Sequence, residues 1–221
     1  MLILVEGQPG TGKSRAIKNL DPATTLVIKP NNKDLPFKGS QKLYKEGKNS
    51  VTTTELSVIR DLLLQANEGT KFKTVIIEDF THFFNKRTMN EANDKTYEKW
   101  NKLAIDIFNS FLDLDGKLRP DLNVIVIAHV DVSRDAGGNP VSTLYTPGKM
   151  LEQNIKIPSY FTYILHSDVE DGEDGKPHYY FLTNKDGSGK EAKSPEGCLD
   201  LREDNDYQAI INKIELYRND A

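Results

Sequence analysis

The chain has 221 residues, of which 37% are hydrophobic and 28% charged, and a formal net charge of −4. That composition fits one soluble globular domain spanning 1–221 and excludes a generally cationic nucleic-acid coat, though not a local basic groove. The single cysteine, Cys198, excludes a disulfide framework and a cysteine-based zinc site, and it fits a reducing, cytoplasmic setting.

No apolar run approaches the roughly 18 residues that a membrane helix needs, so no membrane partner is expected. Residues 2–6 (LILVE) read as a buried strand that starts at once, so neither a preceding domain nor a secretory leader is expected. A Gly-rich turn follows from Gly7 to Ser14, then a helix to about Leu20. Residues 24–29 (TTLVIK) read as a second strand, and 30–50 as a lysine-bearing loop. Thr52 to Glu55 has capping-box spacing and predicts a helix to about Asn67. Residues 73–79 (KTVIIED) read as a third strand, followed by a helical segment to about Leu114. On that segment Tyr97, Trp100, Ala104, Ile107, Phe108 and Phe111 share one face.

Residues 123–129 (NVIVIAH) read as a fourth strand. A Gly- and Pro-containing loop over 130–158 follows, then a hairpin over 160–169 and 178–184, and a last helix near 206–218. Strand and helix alternate through the first 130 residues. The expected fold is therefore α/β, a mainly parallel sheet flanked by helices, with an antiparallel hairpin at one edge.

The sharpest chemical signal is Gly7, Gln8, Pro9, Gly10, Thr11, Gly12, Lys13 and Ser14, which match the phosphate-loop pattern GxxxxGK[ST] between a strand and a helix. Glycines allow a tight loop whose backbone N–H groups form a concave anion site. Lys13 is placed to reach the β- and γ-phosphates of ATP, and the Ser14 hydroxyl to ligate Mg²⁺. Arg15 follows directly and is counted with the nucleotide-binding residues. The second signal is the apolar run Thr74 to Ile77 ending in Glu78 and Asp79, the arrangement in which a strand-end acid holds Mg²⁺. Side chains alternate along a strand, so two registers stay open. Glu78 ligates the metal and Asp79 activates water, or Asp79 ligates the metal. His129, closing the fourth strand, is a candidate γ-phosphate sensor. Lys193 is a candidate phosphate contact, in cis or from a neighbouring subunit. His82, His166 and His178 are expected to be structural or exposed.

These elements resemble phage-encoded P-loop ATPases with a minimal RecA-like core, including short RecA-like single-strand-annealing recombination proteins. The resemblance is carried by the P-loop, VIIEDF, VIVIAH, TPGKM, IPSYFTYILH and FLTNKDG followed by EAKSPEG. It implies a Mg²⁺-dependent ATPase, weak alone and stimulated by DNA, that handles single-stranded DNA in phage recombination or replication in the host cytoplasm. A homo-oligomer and a single-strand-binding protein are among the partners it implies. Within 130–158, Arg134, Tyr145, Lys149 and Lys156 are the residues expected to meet DNA. A nucleotide-dependent regulatory or packaging subunit is the alternative. A small-molecule kinase is less favoured because the arginines are not clustered.

Overall fold

Nine strands join one sheet in the computed structural model, which describes residues 1–90, 98–110, 112–114, 116–146, 156–172 and 175–220. In chain order they are β1 (Leu2–Gly7), β2 (Thr25–Lys29), β3 (Ser50–Thr52), β4 (Thr74–Ile77), β5 (Asn123–Arg134), β6 (Pro140–Leu144), β7 (Tyr163–Asp171), β8 (Pro177–Leu182) and β9 (Arg202–Asp204). The order across the sheet is β3-β2-β4-β5-β1-β7-β8-β9, with β6 pairing outside this path on β5. From β3 to β7 every pairing is parallel, and β8 and β9 extend that edge antiparallel. The α/β expectation and the antiparallel edge are both met.

Period-two alternation divides the core into two layers. Leu2, Leu4, Val75, Ile77, Val124 and Val126 face one side, where they pack against α2 (Leu56–Glu68), α3 (Phe80–Asn90) and α4 (Glu98–Ser110). Ile3, Val5, Ile76, Ile125 and Ile127 face the other, against a short helix at Ser14–Asn19, the residues Leu35 and Tyr44 that flank α1 (Ser40–Leu43), and α5 (Tyr207–Asn219). Ile59 and Ile107 are fully buried, and each such side chain contributes about 1.5–3 kcal/mol by leaving water. On the predicted stripe, Ala104 and Ile107 are buried, and Trp100 and Phe108 pack against the same cluster. Tyr97 and Phe111 lie outside the described residues.

Several local expectations are corrected. The helix after the Gly-rich turn is a six-residue 3-10 helix. It stops because Asp21 captures the Ala23 N–H and the Thr24 hydroxyl in a turn, with Pro22 between them. The capping box does not form, because Thr52 is paired in β3 and bonded to Glu46, leaving Glu55 at the helix start without a side-chain cap. The lysine-bearing loop contains α1 and ends in β3, which begins at Ser50. The stretch from Val130 to Leu144 is no open loop but a hairpin, in which Val130 pairs with Leu144 and Arg134 with Pro140. Asp135 closes its turn by accepting the N–H groups of Gly137 and Asn139.

Candidate functional site

Because β1, β4 and β5 run parallel, their carboxyl ends reach the same edge of the sheet, where crevices form in such folds. A cleft of about 480 Å³ lies there, lined by Gly10, Gly12, Lys13, Ser14 and Arg15, and facing them Glu78, Asp79 and His129. The pleat determines which acid faces the loop. Ile76 belongs to the layer of the 3-10 helix and Ile77 to the opposite layer, so Glu78 returns to the side of Ser14. Ile125 and Ile127 carry the same parity to His129, which stands level with Gly7 across β1 and β5. Asp79 leaves the strand in the left-handed region, at φ 56°.

The Ser14 hydroxyl donates to Glu78 Oε1, while Glu78 Oε2 is sealed from solvent without a partner. Burial pushes the Glu78 carboxyl up to about 7, against the opposing pull of the Ser14 hydrogen bond. Lys13 is 6% exposed, and its Nζ donates to the carbonyls of Gly7 and Gln8, each at 2.7 Å. Desolvation lowers it to about 8, opposed by the charges of Glu78 and Asp79. Burial would raise Asp79, but the contact and charge of His129, with His82 and Lys13, outweigh it and hold the carboxyl below its ordinary value. His129 Nε2 lies 3.4 Å from Asp79 Oδ1, and His82 Nδ1 lies 3.9 Å from Asp79 Oδ2. The His129 backbone N–H donates to the Thr81 hydroxyl, and its Nδ1 is buried without a partner.

The Gly-rich loop is braced from the far end of the chain. Ser167 in β7 donates its hydroxyl to the Thr11 carbonyl at 2.6 Å, and the Tyr207 hydroxyl donates to the Lys13 carbonyl at 2.8 Å. Gly7 has φ 152°, and a Cβ there would stand 2.5 Å from the Ser167 carbonyl oxygen. Gly7→Ala should therefore destabilise the fold by at least about 2 kcal/mol, from strain and overlap with fixed backbone. Chemical denaturation would measure it, and an unchanged midpoint would refute the close approach.

Sequence reasoning missed several of these residues. Ser167, Tyr207, Tyr179 on the cleft wall and Asn205, which accepts a hydrogen bond from Arg15, carry no local motif. Lys29, Asn31 and Lys33 line the cleft, although Lys29 reads only as a strand end and the other two only as part of a basic loop. His82 gave a usable signal, standing three residues after Asp79 at a helix start. His166 takes the structural alternative expected for it, with a partner that its sequence position does not announce. It is 3% exposed and lies 3.3 Å from Glu6, which is fully buried just before Gly7. Burial raises the Glu6 carboxyl, and its Oε2 has no partner.

Lys193 does not join Lys13. It lines a separate pocket of about 520 Å³ with Lys156, Asp131 and Glu191, and its backbone pairs with Ile164. Arg134 donates to the Gly138 carbonyl of its own hairpin, and Tyr145 donates to Asn85. Lys149 lies outside the described residues. A groove of about 510 Å³ at the opposite edge, lined by Lys73, Asp121 and Glu215 among others, holds none of the candidate residues.

Among the described residues no cluster of three or more His, Cys, Asp or Glu could hold a metal ion, and no helix is long and apolar enough to cross a membrane. The donors that do meet, one hydroxyl and one carboxylate with a free buried oxygen, suit Mg²⁺, which usually takes one or two protein ligands and completes its shell with water and substrate phosphates. No protein-family model matches the chain, and no curated protein matches it.

Proposed function

We propose that this chain is a Mg²⁺-dependent ATPase with a RecA-like core that acts on single-stranded DNA. The observation that carries the reading is the meeting of Ser14 with Glu78, whose second oxygen is buried without a partner. Two motifs 64 residues apart in sequence converge where a metal-bound triphosphate requires a hydroxyl and a carboxylate. The sheet order supports the fold assignment, since β5 separates the P-loop strand β1 from the acidic strand β4.

Each side chain then has a task. Lys13, parked on the Gly7 and Gln8 carbonyls, turns to the β- and γ-phosphates when substrate enters. Ser14 and Glu78 would hold Mg²⁺, which neutralises phosphate charge as it develops in the reaction. Asp79 accepts a proton from the attacking water. His129, in contact with Asp79, senses the γ-phosphate.

The DNA part of the reading is supported by connectivity. The hairpin of β5 and β6 leaves directly from His129, and Lys156 and Lys193 line the pocket beside it, with Asp131 and Leu144 of the hairpin. The deciding experiment is ATP hydrolysis with and without single-stranded oligonucleotide. Turnover should rise with DNA, and binding should weaken steeply as salt displaces counterions. Lys156→Ala should weaken DNA binding and shallow the salt slope while basal hydrolysis persists. Hydrolysis indifferent to DNA, with no oligonucleotide bound at low salt, would move the reading to a regulatory or packaging subunit.

A further inference from the structure

The phosphate chemistry occupies one end of the cleft. Across the sheet, Glu78, Asp79 and His129 come from the β4 and β5 side of β1, whereas Tyr179 in β8 and Asn205 after β9 come from the opposite side. A triphosphate laid on the P-loop with its γ end toward Glu78 and His129 therefore extends its nucleoside toward β8. Tyr179 is the single Phe, Tyr or Trp among the described residues that line this cleft. Its successors Tyr180, Phe181 and Leu182 are buried, but Tyr179 is only half-buried.

Resting on the nucleotide reading, we propose that Tyr179 is the nucleobase platform of the site, so that the ligand is a nucleoside triphosphate whose planar base stacks on this ring. The ring already holds a flat, delocalised partner. The Arg15 guanidinium carbon lies 4.9 Å from its centroid, and Arg15 Nη1 donates to Asn205 Oδ1 at 3.3 Å. A base is the same kind of partner, a planar π system that takes the face of an aromatic ring. The ring also abuts the phosphate loop, since a Cβ on Gly12 would lie 2.8 Å from Tyr179 Cδ1. A base stacked there stands beside the loop that holds its own phosphates. Glycine at position 12 keeps ring and loop in contact, which joins the two halves of the site.

The test compares ATP with inorganic tripolyphosphate, each with Mg²⁺, by calorimetric titration of the full chain. The variants are Tyr179→Ala, Tyr179→Leu and Tyr179→Phe, with melting curves to show that each is folded. Loss of base stacking should weaken ATP binding on the order of ten- to a hundredfold in the Ala and Leu variants. Tripolyphosphate binding should stay within about twofold, and the Phe variant should bind ATP like wild type. A folded Leu variant that keeps ATP affinity, or that loses both ligands equally, overturns the platform. Wild type that binds neither ligand overturns the P-loop reading itself, and the platform with it.

Discussion

Lys13→Ala is expected to lower ATP turnover at least about a hundredfold, the scale seen when a preorganised charge is removed from a developing anion. The protein should nevertheless stay folded, although Lys13 is buried rather than a surface group. Two effects of opposite sign meet there. The two bonds from Nζ to Gly7 and Gln8 contribute about 1.5–3 kcal/mol each as charge-assisted hydrogen bonds. Against them stands the desolvation that lowers the ammonium from 10.5 to about 8, equivalent to about 3 kcal/mol. The melting temperature should accordingly remain within about 10 °C of wild type. Turnover and a melting curve on the same preparation check both halves. Near-wild-type hydrolysis in the variant would remove the P-loop assignment.

The acidic pair should divide its labour. Glu78→Gln is expected to weaken Mg²⁺-dependent nucleotide binding at least about tenfold, because an amide replaces the carboxylate beside Ser14. Asp79→Asn should lower kcat about a hundredfold with binding retained, as expected for a group that acts on the proton in flight. A pH signature separates them further. Metal binding needs the Glu78 carboxylate, so it should strengthen as pH rises through about 7. Stability of the free protein has the opposite sign. A carboxyl raised from 4.5 to about 7 in the fold binds its proton more tightly there than in the unfolded chain. Its contribution to stability is complete below about 4.5 and is lost as pH rises through about 7. Glu78→Gln, neutral throughout, should therefore unfold at nearly the wild-type midpoint below about 4.5 and at an increasingly higher midpoint than wild type as pH rises through about 7. Equal midpoint differences at both ends of that window would show that Glu78 titrates as an ordinary exposed acid.

The parts of the site that were legible in the sequence are those whose chemistry is contiguous. GQPGTGKS is a run of eight residues whose glycines and lysine have one local purpose, and VIIED is an apolar strand with acids at its end. Alternation of such runs with helical stretches was enough to indicate a mainly parallel sheet, because parallel strands buried on both faces leave continuous β-branched segments. The hairpin after His129 was not legible. Gly137, Gly138, Asn139 and Pro140 are turn residues in either reading, and beyond Val130 most of β5 is exposed, so no apolar alternation marks it.

The choice between Glu78 and Asp79 is tertiary for a related reason. Two adjacent acids satisfy the same pattern, and only the pleat of β4, with Ile76 and Ile77 committed to opposite layers, turns Glu78 toward Ser14. The far walls of the site lie further still from sequence reasoning. Tyr207 bonds Lys13 across 194 positions and Asn205 meets Arg15 across 190, joined because β8 and β9 extend the sheet beyond β7 and α5 packs on the face that carries the 3-10 helix. Lys193 shows the converse. Its order along the chain suggested a phosphate contact, but its pairing with Ile164 carries it to a separate pocket with Lys156. Local composition thus determined the loop, the acids and the class of fold, since each follows from backbone conformation and burial over a few residues. The facing of Glu78 toward Ser14, the bracing of the loop and the separation of Lys193 from Lys13 were decided by the pleat and the strand order, because contacts between distant segments depend on which faces and edges meet.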